Sequence, residues 1–339
     1  MNLIQSLTLA AKSSDTRGII PILGCVLVDA NGVSATDMET NIAVRVPVPG
    51  WEGPARPMNA KALLAAVKAA GANLASIAPN AVTLTTGTTI AVETMETEDF
   101  PLCTAGDFPT AFDMPAAALA GMLIRTAHAE SKEATRYYLV GTYLHAHGDT
   151  LRAVATDGYR LVATDTTLPD GAAGMPGVIV PSAATKLLRV ILGKKPDGAV
   201  TVRLSDTRIQ VTFGPVTLTS KLVDGTFPDY LRVIPQDPTP RMTVATADFR
   251  AAVKIVTAGA DKNESVAICD GALRCGANRI PISGAEGVPE VLFDSRYLLD
   301  MLEHAGSTVA MAQTGPKDPA VFTDPADMSW LEVVMPKRI

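Results

Sequence analysis

One helix-like phrase occurs three times in this chain, and a repeat of that kind confines the fold to a row of similar units. The copies run from Met58 to Val67, from Val180 to Ile191 and from Phe293 to Leu302. Each offers an N-cap candidate (Asn59, Ser182, and Asp294 or Ser295), then a Leu-Leu pair, then an apolar residue about a turn later. Leu63, Leu187 and Leu298 open those pairs and stand 124 and 111 residues apart, which divides the chain into three domains, 1-111, 112-240 and 241-339.

A second phrase keeps the same spacing. Val33-Ser34-Ala35-Thr36-Asp37 is echoed 120 residues later by Val154-Ala155-Thr156-Asp157. Each is entered through a turn of Asp, Asn, Gly or His residues that tolerate positive φ, at 29–32 and at 146–149, so each reads as half of a hairpin. The third copy is degenerate, with Asp270-Gly271 as its turn. Every repeat also opens with an amphipathic segment of helical period: Ile4 to Ser13, Ala116 to Ala129, and Asp248 to Ala258. Alternating stretches at 82–85, 200–204 and 216–220 supply later strands. The unit is therefore α+β, two helices covering one face of antiparallel sheet, three times over.

Composition narrows the function classes. The chain has 339 residues, 47% of them hydrophobic, ample for more than one buried core. Its apolar runs break well before the roughly 18 residues that span a bilayer, and Met1 to Ser6 lacks a basic and then apolar leader, so a cytoplasmic protein is expected. Cys25, Cys103, Cys269 and Cys275 form no CxxC pair, as suits small buried thiols in a reducing compartment. A net charge of −6 does not exclude nucleic acid, because an acidic exterior combined with a locally basic face directs DNA to that face.

Five phrases, in order along the chain, resemble the beta subunit of bacterial DNA polymerase III, the sliding clamp family. They are Pro21-Ile22-Leu23-Gly24, Arg136-Tyr137-Tyr138-Leu139, the run Val154 to Leu161, the run Ser220 to Tyr230, and the C-terminal Val333 to Ile339. The resemblance covers nearly the whole chain. It implies three clamp domains forming half of a six-domain ring, closed by a head-to-tail homodimer around duplex DNA, with all helices toward the hole. The cationic residues on the helical segments and their flanks fit such a lining: Lys12, Lys61, Lys68, Arg125, Lys132, Lys186, Arg189, Arg250, Lys254 and Arg296.

The resemblance further places Arg17, Arg136 and Tyr137 against the DNA backbone, read without base specificity. Glu133 stands where the family often has a neutral polar residue, a departure close to that contact. It also implies that the replicative polymerase, the clamp loader and repair proteins insert short peptides, with glutamine and apolar anchors, into one pocket. The matching positions are Leu139, Thr156, Gly158, Tyr159, Arg160, Leu161, Pro228, Arg232, Val233, Asp294, Tyr297, Val333, Val334, Met335, Pro336 and Arg338. They make an apolar groove with a few polar groups at its mouth, a composition suited to peptides. Tyr159 replaces a common histidine, and Lys337 a frequent apolar residue, so peptide preference at the rim is expected to differ. At the end of repeat one, Ile90 and Val92 share a face of an alternating segment, and an edge strand with exposed apolar residues seeks a partner, so both are expected at the dimer interface.

Signatures of catalysis are missing from the sequence: it contains no GxxxxGK[ST], GxSxG, HExxH or GxGxxG after a strand, and no cofactor is expected. His145 and His147 alternate on one strand face without a third ligand nearby in sequence, and Asp157 before Gly158 reads as turn chemistry. Two other readings are a phage-, plasmid- or accessory-encoded clamp paralogue and a metal-dependent DNA-processing enzyme. The second would need carboxylates clustered at metal spacing, and the sequence offers no such cluster.

Overall fold

The computed structural model describes residues 1–15, 19–101, 106–236, 238–260 and 264–337. Arg17, Cys103 and Arg338 lie outside the described residues. Among the described residues there are six α-helices, two per repeat: α1 (Leu3–Ala10), α2 (Ala60–Ala70), α3 (Ala116–Thr126), α4 (Ser182–Leu192), α5 (Thr246–Val256) and α6 (Ser295–Leu302). Side-chain caps start several of them. Asn59 Oδ1 accepts from the Ala62 N–H at α2, and Asp294 accepts from the Arg296 N–H at α6. At α1, Asn2 and Gln5 form a reciprocal capping box, which satisfies donors that a helix start leaves unpaired. The opening helices end a few residues earlier than their apolar period suggests, as short 3₁₀ turns take over at Ala11–Ser13 and Ala127–Ala129.

The chain forms two compact units. The first comprises 1–120, 169–175 and 186–222, and its main sheet has eight antiparallel strands in the order Arg56–Asn59, Cys25–Asp29, Gly32–Thr36, Thr40–Arg45, Val216–Lys221, Arg208–Phe213, Ala199–Leu204, Thr110–Pro115. Four strands come from repeat one and four from repeat two. They are joined where Thr40–Arg45 pairs with Val216–Lys221, Ile42 standing opposite Leu218. A separate three-stranded sheet, Leu74–Ala78, Ala81–Leu84 and Thr89–Ala91, completes the unit. Ile42, Met58, Leu63, Ile77 and Val82 are wholly buried, and α1 packs on α2. The Cys25 thiol lies in this interior, where burial, aided by Glu93, pushes its pKa up to about 11, so it is held as an unreactive thiol.

The second unit comprises 121–168, 176–185 and 223–337 of the described residues and repeats the scheme one step along. Its eight-stranded sheet runs Val178–Pro181, Gly141–His147, Thr150–Thr156, Arg160–Thr167, Asp327–Val334, Ala320–Asp324, Thr308–Ala312, Pro240–Ala245. The join is Arg160–Thr167 on Asp327–Val334, with Leu161 opposite Val333. A four-stranded sheet, Asn278–Pro281, Ala272–Cys275, Ser265–Cys269 and Val291–Asp294, carries α5 and α6 over a core of Phe249, Phe293, Leu298, Phe322 and Trp330. The hairpin at His147-Gly148-Asp149 forms as the turn residues require, with Gly148 at φ 57°. The units differ from the three repeats because main-chain pairing at each join holds neighbouring repeats in one sheet. Among the described residues, no helix is long and apolar enough to cross a membrane.

Candidate functional site

The second unit holds an apolar cavity of about 160 Å³, below the roughly 300–1,000 Å³ of small-molecule pockets and sized for single side chains. Its floor is Leu139, Leu161, Val333 and Tyr230, all buried, and these join a core cluster with Val154, Phe227 and Val321. Strand pairing of Leu161 opposite Val333 sets two of them side by side. The wall is the segment Pro228, Asp229, Tyr230 and Val233, held by a 3₁₀ turn in which the Val233 N–H donates to the Tyr230 carbonyl at 3.0 Å. Thr156, Gly158, Tyr159, Arg160 and Met335 form the mouth.

The mouth is built by local chemistry. Asp157 Oδ1 accepts from the N–H groups of Tyr159 and Arg160 at 3.0 and 3.1 Å, and Thr156 Oγ1 donates to the Arg160 carbonyl at 2.6 Å. Asp157 is thus a turn residue, as its Asp-Gly context indicates. Gly158 sits at φ 90°, a backbone conformation that demands glycine, and the Arg136 guanidinium lies over it. Tyr159 projects outward, 56% exposed, and the Met335 N–H donates to its carbonyl at 2.9 Å, which ties the C-terminal segment across the opening.

Arg160 is the buried charge of the site. Its guanidinium donates to Asp157 at 3.1 Å, to Asp300 at 2.8 Å and to the His128 carbonyl, and lies 4.6 Å from the centre of the Tyr297 ring. Burial opposes that charge, but hydrogen bonding to Asp300 and the field of both carboxylates hold its pKa above the ordinary value. Behind it, the wholly buried Glu332 meets His128 Nε2 at 2.9 Å, and burial holds the Glu332 pKa above the usual carboxylate range. His304 stacks on His128 at 4.7 Å, and burial, then the neighbouring His128, lower its pKa to about 4.

Most of the expected pocket residues meet here, and several do not. Val334 is wholly buried in the other core cluster, because successive strand residues face opposite sides and Val333 takes the cavity side. Arg232 is 84% exposed and pairs with Asp229 at 2.8 Å, outside the lining. Tyr297 stands behind Arg160, and Asp294 caps α6 while pairing with Arg296 and, at 3.6 Å, with Lys337. Pro336 lines a second cavity, about 570 Å³, that shares Met335 with the first and is flanked by Lys317 and Lys337. Asp229 and Tyr230 line the first cavity without having been singled out. Their signal was an aromatic immediately after Phe227-Pro228-Asp229, where proline stops pairing and a turn exposes its neighbours.

The expected DNA contacts are modified as well. Arg136 donates to Glu133 at 2.8 Å, a pairing that holds Glu133 below the usual carboxylate range, so its charge is locally offset and its side chain rests on the Gly158 turn. Tyr137 is 54% exposed, edge-on to Tyr138. Among the helix cations, Lys61, Lys68, Lys186 and Lys254 are exposed, as are Lys12 and Lys132 beside them. Arg125 instead pairs with Asp327 at 2.6 Å, Arg296 with Asp294, and Arg250 donates to the Leu302 carbonyl. At the supposed dimer edge, Ile90 is half-buried but Val92 is only 4% exposed within its own unit, so the exposed apolar face expected of the pair reduces to Ile90. Among the described residues, no three His, Cys, Asp or Glu side chains are grouped to hold a metal ion.

Known proteins resemble this chain over nearly its full length. Residues 113–229 match the family model for the DNA polymerase III beta subunit, central domain. The chain is 31% identical over 365 residues to the beta sliding clamp of Caulobacter vibrioides, covering 99% of this chain and 98% of that protein. It is 30% identical over 275 residues to the beta sliding clamp of Escherichia coli K12, covering 73% and 71%. Among solved structures, the sliding clamp of Bartonella birtlesii bound to griselimycin superposes with a TM-score of 0.90 at 32% identity, covering 99% of this chain and 97% of that one.

Proposed function

Because the chain belongs to the DNA polymerase III beta subunit family, the beta sliding clamps, we propose that it works as a non-catalytic clamp whose partner site is the cavity between Leu139, Leu161, Tyr230 and Val333. The observation that carries this reading is an apolar cavity of side-chain size with one buried, fully paired arginine at its mouth. Such a site takes a Leu- or Phe-sized anchor and gives a neighbouring polar side chain, such as glutamine, a fixed group to meet. The replicative polymerase, the clamp loader and repair proteins share the site by competition, presenting linear peptides from a cytoplasmic replication complex.

The three repeats, 1-111, 112-240 and 241-339, serve as clamp domains, and two chains close head to tail into a ring around duplex DNA. Strand order supports the closure. Twice in the chain, the third strand of one repeat's first sheet pairs with the last strand of another repeat's second sheet. Two edges of the same kinds are left over, Asn278–Pro281 in repeat three and Thr89–Ala91 in repeat one. A second copy satisfies both through a heterologous contact that closes after two subunits. Arg17, Tyr137 and the exposed lysines supply loose, salt-sensitive contacts to phosphate, Arg136 contributing less because Glu133 offsets it.

A capped peptide with one glutamine and two apolar anchors should bind with micromolar Kd. Each anchor contributes roughly 1.5 to 3 kcal/mol, less the cost of ordering the peptide. Fluorescence anisotropy measures this, with a peptide whose anchors are changed to alanine as control. Equal signals from the two peptides would place the partner site elsewhere.

A further inference from the structure

Behind the cavity wall lies a row of polar side chains that the peptide site itself does not use. His145, Arg152 and Asp165 are cross-strand neighbours on three adjacent strands. Arg152 grips Asp165 with two hydrogen bonds, at 2.7 and 2.6 Å, and its cation acts on the Tyr230 hydroxyl as well. His145 Nε2 lies 2.9 Å from that same hydroxyl, and its Nδ1 lies 2.9 Å from the Ala146 carbonyl. A carbonyl only accepts, so Nδ1 carries the proton in the neutral ring and Nε2 presents a lone pair. The Tyr230 hydroxyl therefore gives its own proton to His145. Tyr143 stacks on His145 at 4.7 Å and on Phe227 at 4.8 Å, so the ring has little room to turn.

We propose that His145 is a positioning residue for partner binding: by accepting the Tyr230 proton it fixes the wall segment that begins at Pro228 and ends at Val233. The proposal rests on the reading of the cavity as the peptide site. Tyr230 is the point where the network reaches that site, since its ring lines the cavity and its carbonyl closes the 3₁₀ turn to Val233. A protonated His145 would turn a donor on the Tyr230 oxygen, and its new charge would stand beside His147 and the Arg152 cation, with Asp165 opposing them. The phenol proton would lose its acceptor and the wall its anchor.

The sign of the pH effect follows. Burial, then the nearby His147 and Arg152, depress the His145 pKa below its ordinary 6.5. The neutral, wall-fixing form is thus complete above about pH 6.5 and is lost as pH falls through the depressed value.

The test is the affinity of a capped peptide of glutamine, leucine and phenylalanine, without ionisable groups, measured by anisotropy from pH 8 to pH 5. Near-ultraviolet circular dichroism of each variant checks that the fold persists. Wild type should hold level affinity down to about pH 6.5 and weaken about threefold or more by pH 5. Tyr230→Phe keeps the ring on Phe227 but has no proton to give, so it should bind about two- to fivefold more weakly at pH 7.5 with a level profile. His145→Gln, whose carbonyl can accept the phenol proton but does not titrate, should keep near wild-type affinity at pH 7.5, also level, whereas His145→Leu should resemble Tyr230→Phe. A level wild-type profile, or one whose slope survives in His145→Gln, overturns the proposal. Failure of wild type to bind at pH 7.5 instead overturns the peptide-site reading, and the proposal with it.

Discussion

Removing Met335 to Ile339 should weaken peptide binding by about ten- to a hundredfold while leaving the sedimentation of the chain unchanged. The strand Asp327–Val334 ends before the cut, and its pairing with Arg160–Thr167 and Ala320–Asp324 does not involve the deleted residues. What disappears is Met335 at the cavity mouth, its N–H bond to the Tyr159 carbonyl, and the Lys337 N–H bond to the Leu292 carbonyl that holds the segment down. Loss of one large apolar contact costs roughly 1.5 to 3 kcal/mol, and each 1.4 kcal/mol is tenfold in affinity. Anisotropy titration of intact and truncated protein with the same peptide decides it. Equal affinities would move the partner site off this cavity.

On the proposed ring closure, a chain carrying Thr89→Pro and Ala91→Pro should sediment as a monomer at concentrations where the unaltered chain is expected to sediment as a dimer. In an antiparallel ladder, alternate residues address the same neighbour. The Thr88 carbonyl accepts from Leu84, the Val92 N–H donates to Asn80, and Ile90 stands opposite Val82, so the N–H groups of Thr89 and Ala91 point away to the open edge. Proline deletes those two donors without touching the unit's own ladder. Each carbonyl left buried and unpaired in a partner costs about 1–3 kcal/mol, which raises the dimer Kd at least about thirtyfold. Peptide affinity should survive, since the cavity lies in the other unit. A variant that still sediments as a dimer would remove this edge from the interface.

Local order was legible in the sequence because it is written in short-range chemistry. Asn59 and Asp294 cap the helices they were expected to cap, Asp29 and Gly148 turn their hairpins, and the Leu-Leu pairs each bury one member fully, Leu63, Leu188 and Leu298. Distant pairings were not legible. Nothing near Arg125 announces Asp327, 202 residues away, so a helix cation expected to face DNA turns out to be engaged within its own unit. The phase of strand alternation was also hidden. Val333 and Val334 look alike in sequence, yet one faces the cavity and the other the opposite core, and Val92 likewise proved to be interior. At the candidate site, Leu139, Leu161 and Val333 are legible through the family phrases, whereas the contact of the Tyr230 hydroxyl with His145, 85 residues earlier, is not.

Retention on circular DNA tests the ring most directly. The protein is loaded by its cognate loader onto a nicked circle, washed in high salt, and followed before and after a single cut that linearises the duplex. Ionic contacts to phosphate fall steeply with salt, whereas a closed ring is held by topology alone. The protein should remain on the circle through the wash and leave promptly once the duplex is cut. Equal retention on circular and linear DNA would contradict encirclement.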